Sequence, residues 1–102
     1  MARKELPPTH PDNIRDRMRI SREALWFNQT TLSRLLGTPP STWHNWEKGI
    51  RRISIDKMFK LQSVTGLTME WIYRGDIMSL PAELRERIQT QISRNNRNNN
   101  PN

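Results

Sequence analysis

All four glycines of this chain, Gly37, Gly49, Gly66 and Gly75, fall where a short run of helix-patterned apolar residues stops. Glycine adopts the left-handed conformation that ends a helix at little cost, so these positions divide the middle of the chain into several short helices. Ile14, Met18 and Leu25 mark one face of a first helix over residues 11–26, with Pro11 in its first turn. Asn28 caps a second helix in which Leu32, Leu35 and Leu36 face inward. Thr38, Pro39 and Pro40 open a third helix that Gly49 closes. Ser54 caps a fourth carrying Met58, Leu61 and Val64, and Thr68 caps a fifth carrying Met69, Trp71 and Ile72. Pro81 starts a sixth over residues 81–92, with Leu84, Ile88 and Ile92 four apart. No segment alternates as a strand does, so the fold class is all-α.

With 102 residues, 33% of them hydrophobic, the chain supports one small core. Residues 1–10 are polar and proline-bearing, and residues 93–102, SRNNRNNNPN, are asparagine-rich; both are expected to be mobile outside that core. Absence of cysteine excludes disulfides, thiolate nucleophiles and cysteine-ligated zinc. The start, MARKELPP, lacks the apolar run of a secretory signal, and no stretch reaches the length of a membrane span. A cytoplasmic, nucleoid-associated protein with no membrane partner is expected. The 17 basic residues, 13 of them arginine, exceed the 10 acidic ones and give a charge of +7. That balance favours a polyanionic partner; solubility alone is the competing explanation.

The stretch TPPSTWHNWEKG carries the most information. At about 100° per residue, Trp43 and Trp46 share one face of the third helix, and burying two large aromatics compensates for its shortness. Ser41, His44, Asn45 and Lys48 fall on the opposite arc. A short helix packed hard on one side, held by a preceding helix and presenting a polar edge, suits the major groove of B-DNA, while a solvated face of an ordinary bundle has the same pattern.

Residues 14–75 resemble the lambda-repressor-like, or Xre-type, helix-turn-helix family of phage repressors and Cro proteins. The landmarks are Arg22, then Gln29, Ser33 and Gly37 of NQTTLSRLLG, then Trp46-Glu47-Lys48-Gly49, and Trp71-Ile72-Tyr73-Arg74-Gly75. The resemblance implies a five-helix DNA-binding domain over residues 11–77 followed by a C-terminal helix over 78–92. It implies base contacts from Pro40, Ser41, His44 and Asn45 and phosphate contacts from Gln29, Thr38, Thr42, Lys48, Arg51 and Arg52. It also implies a structural ion pair between Arg22 and Glu47, which would turn the one acid beside this face inward. Departing from the family pattern, Pro39 and Pro40 remove polar side chains and two backbone donors from the start of the third helix, so DNA shape should carry part of the specificity.

The expected function is sequence-specific binding of double-stranded DNA by a phage or mobile-element repressor, a homodimer on paired half-sites. An antiactivator or antitoxin acting through protein contacts, with the C-terminal helix as the partner surface, is the alternative. The apolar stripe of that helix fits either a dimer seam or folding back on its own core. Neither a nucleophile with its base nor a pair of histidines at metal-binding spacing is present, so no enzyme, metal or cofactor is expected.

Overall fold

A computed structural model describes residues 6–98, and every regular element in them is helical. The order is α1 (Pro11–Ala24), α2 (Gln29–Leu35), α3 (Pro40–Glu47), α4 (Ile55–Thr65) and α5 (Met69–Arg74), a 3-10 turn (Ile77–Ser79), and α6 (Ala82–Asn98). The described residues are thus all-α, the expected fold class.

Side-chain caps start most of these helices. The Asn28 side chain accepts from Thr31 N at 2.7 Å, Ser54 Oγ from Lys57 N at 3.3 Å and Thr68 Oγ1 from Trp71 N at 3.1 Å. Each satisfies a backbone donor that the helix itself leaves unpaired. At the other end, Gly66 and Gly75 hold φ of 86° and 78°, the left-handed cap. Helix α1 stops at Ala24 rather than at residue 26, because Trp26 itself takes φ 62°. A tryptophan in that region is strained, by roughly 1–3 kcal/mol.

The core is built from Met18, Leu32, Trp43, Met58, Leu61 and Ile72, closed by Leu67 between α4 and α5 and by Ile88 of α6. Leu35 and Val64, expected to face inward, are instead exposed. Leu32, Ser33 and Leu36 define the buried arc of α2, and Leu35 lies about 110° from its centre. In α4 the buried side chains are Met58 and Leu61, and Val64 stands about 90° off their midline.

Helix α6 packs along α1. Leu84 and Ile88 are buried against the domain's own core and Ile92 packs partly against it, so the apolar stripe folds back rather than standing free as a seam. The helix also runs to Asn98, past the expected end at 92. Asn95 accepts from Gln91 Nε2 at 2.9 Å and donates to Glu23 Oε1 at 3.3 Å, tying the start of the asparagine-rich segment to α1. Residues 99–102 and 1–5 lie outside the described residues, and with them part of what was expected to be mobile. Residues 6–10 are held on α1: Asn13 Nδ2 donates to the carbonyls of Leu6 (3.2 Å) and Pro7 (2.8 Å), and Arg17 to that of Pro8.

Candidate nucleic-acid interface

Helices α2 and α3 meet across the turn at Gly37, and the turn is stapled by one acceptor. Ser33 O receives both Thr38 N (2.9 Å) and Thr38 Oγ1 (3.3 Å). With both donors spent on this carbonyl, Thr38 serves the turn, and the phosphate contact expected of it would require breaking that staple. Ser33 is fully buried, and its hydroxyl has no partner among the described residues. Proline 39 takes the cap position of α3 without a side-chain cap, and Pro40 follows in the first turn, where a missing N–H costs nothing.

The inner face of α3 is aromatic. Trp43 and Trp46 are both buried, with ring centroids 5.4 Å apart and planes at 65°, an edge-to-face arrangement. The outer arc carries Pro40, Ser41, His44 and Lys48 exposed, with Thr42 and Asn45 half-buried at its margins. Beyond α3, Arg51 and Arg52 are exposed in the loop to α4. That loop is anchored from behind: Tyr73 Oη donates to Ile53 O at 2.6 Å. Burial raises the Tyr73 pKa above its ordinary 10.0, with the positive charge of Arg52 opposing the shift. Sequence reasoning missed this anchor, since nothing local links residues 73 and 53.

The acid beside the outer face is consumed. Arg22 grips the Glu47 carboxylate with Nε at 2.5 Å and Nη2 at 3.1 Å, a bidentate pair, and donates Nη1 to Phe27 O at 3.0 Å. The Trp43 indole N–H also donates to Glu47, and Gln29 Nε2 donates to its other oxygen at 3.2 Å. Only 6% of the Glu47 side chain is exposed, so its charge is compensated where it sits rather than presented outward. Gln29 is thereby drawn into this network, and its Oε1 stands 3.3 Å from His44 Nδ1. Sequence reasoning missed both the Trp43–Glu47 bond, which i, i+4 spacing could have signalled, and the Gln29–His44 contact across two helices, which no local pattern signals.

Two helices joined by a tight turn, the second short, buried on one side and polar on the other, define a known arrangement. Comparison with protein families matches residues 18–72 to the helix-turn-helix model. The chain belongs to the lambda-repressor-like helix-turn-helix family. It is thus a DNA-binding helix-turn-helix regulator. No curated protein and no solved structure matches the chain. In this helix-turn-helix domain no described helix is long and apolar enough to cross a membrane, and among the described residues no three His, Asp or Glu side chains cluster to hold a metal ion.

Proposed function

We propose that this helix-turn-helix protein binds double-stranded DNA sequence-specifically and represses transcription by occupying its site, with α3 in the major groove. The observation that carries the reading is the division of α3 into a locked inner face and an outer arc cleared of acid. Trp43 and Trp46 fix the helix rigidly, and the Arg22–Glu47–Gln29 network removes the charge that would repel phosphate. Ser41, His44 and Asn45, flanked by Pro40, then meet base edges; Asn45 has the geometry to pair bidentately with adenine. Thr42, Lys48, Arg51 and Arg52 contact phosphates and fix register, joined by the second amide proton of Gln29. The resemblance to phage repressors and Cro proteins supports a role in a phage or other mobile element.

Paired half-sites one helical turn apart call for a two-fold homodimer. Because Leu84 and Ile88 are buried within the chain, the seam is better placed on α4 and the loop before it, where Ile50, Ile55 and Phe59 are exposed.

A second reading, in which the domain acts on another regulator or a toxin, is favoured by one observation. Trp26 is 81% exposed, carries Arg87 stacked 5.1 Å from its ring centre, and lines a cavity of about 450 Å³ with Glu83, Thr90 and Arg94 of α6.

Selection from a randomised duplex library separates the two. The DNA-reading assignment predicts a defined site, with Asn45→Ala losing about 1–3 kcal/mol of discrimination at one base pair. Discrimination preserved in Asn45→Ala, His44→Ala and the double variant would remove that assignment.

A further inference from the structure

The bonds around Gln29 have a direction that follows from what each group can do. A carboxylate only accepts, so the end of the Gln29 amide facing Glu47 Oε1 at 3.2 Å must be its NH₂. The carbonyl end, Oε1, therefore faces His44 Nδ1 at 3.3 Å, and a carbonyl oxygen cannot donate. The proton of that bond has to come from the histidine. A neutral imidazole carries one N–H, so placing it on Nδ1 leaves Nε2, on the far side of an exposed ring, as a bare acceptor. The polarity is set at a distance by the Arg22–Glu47 pair, because that pair orients the amide.

We propose that Gln29 is a positioning residue that fixes His44 as a hydrogen-bond acceptor toward DNA, selecting a base that presents an exocyclic amine. In the major groove those groups are adenine N6 and cytosine N4, whereas guanine O6 and N7 and thymine O4 are acceptors that a bare Nε2 opposes. The proposal rests on the reading that α3 enters the major groove. It adds which base class His44 accepts there, and it gives Gln29 a role in specificity distinct from a phosphate contact.

Two measurements on the full chain test it. Nitrogen-15 NMR of the imidazoles in free protein reports the tautomer directly, and with only two histidines, His10 and His44, assignment is simple. Wild type should show His44 in the Nδ1–H form, and Gln29→Leu should abolish that preference. Binding is then measured to the selected site with each of the four base pairs placed where His44→Ala relaxes selectivity. Wild type should favour adenine or cytosine on the contacted strand by about five- to tenfold, and Gln29→Leu should flatten that preference while weakening all four duplexes alike through the lost phosphate contact. An Nε2–H ring in wild type, a preference for guanine or thymine, or a Gln29→Leu variant unchanged in both readouts would overturn this proposal alone. If His44→Ala relaxes no position while Asn45→Ala does, this proposal alone falls; if neither variant nor the double variant relaxes one, the major-groove reading beneath it falls as well.

Discussion

Glu47 gathers donors from three parts of the chain, Arg22 of α1, Gln29 of α2 and Trp43 of its own helix, and so ties α3 to the rest of the domain. Glu47→Ala leaves a mostly buried guanidinium without its partner and should cost about 3–5 kcal/mol in urea denaturation, with Arg22→Met on the same background restoring part of the loss. Tyr73 makes a different prediction. Its raised pKa means the folded state favours the neutral phenol, so the stability it contributes is complete below the ordinary value of 10.0 and is lost as pH rises through the folded value. Alkaline melts should therefore fall more steeply above about pH 10 for wild type than for Tyr73→Phe. At this scale the sequence displayed the acid, the tryptophans and the polar arc of α3, because helical periodicity places them. It did not display the Tyr73 anchor, the Thr38 staple or the Gln29–His44 bond, which depend on how separate elements meet.

Among the elements, α6 shows most clearly where pattern reading stops. The Leu84, Ile88 and Ile92 stripe announced an amphipathic helix, but a stripe of that kind is equally suited to a partner and to the chain's own core. Contact with α1 decides it, and Ile88→Ala should accordingly cost about 2–5 kcal/mol in thermal or urea denaturation while leaving the oligomeric state unchanged. A loss of dimer at unchanged stability would contradict this placement. The asparagine-rich run was read as unstructured on composition alone, yet its first residues continue α6 because Asn95 finds partners in Gln91 and Glu23. Helix starts were readable wherever a capping side chain existed. The end of α1 was not, because Trp26 occupies a backbone conformation that composition assigns to glycine.

For the whole molecule, the charge of +7 says that DNA is attractive, not where it lies. The fold places Lys48 on the outer arc of α3 with Ser41 and His44, and Arg51 and Arg52 exposed in the loop that follows. Arg51→Ala combined with Arg52→Ala should weaken specific and random DNA alike and reduce the slope of log K against log salt by about two units. The central claim is that α3 and its flanks are the surface that meets DNA, and amide chemical-shift mapping of the full chain titrated with its selected duplex tests it most directly. Perturbations should concentrate on the start of α2, on residues 40–48 and on Arg51 and Arg52, leaving the outward side of α6 unmoved. Shifts centred on α6 and Trp26, with α3 silent, would contradict the account.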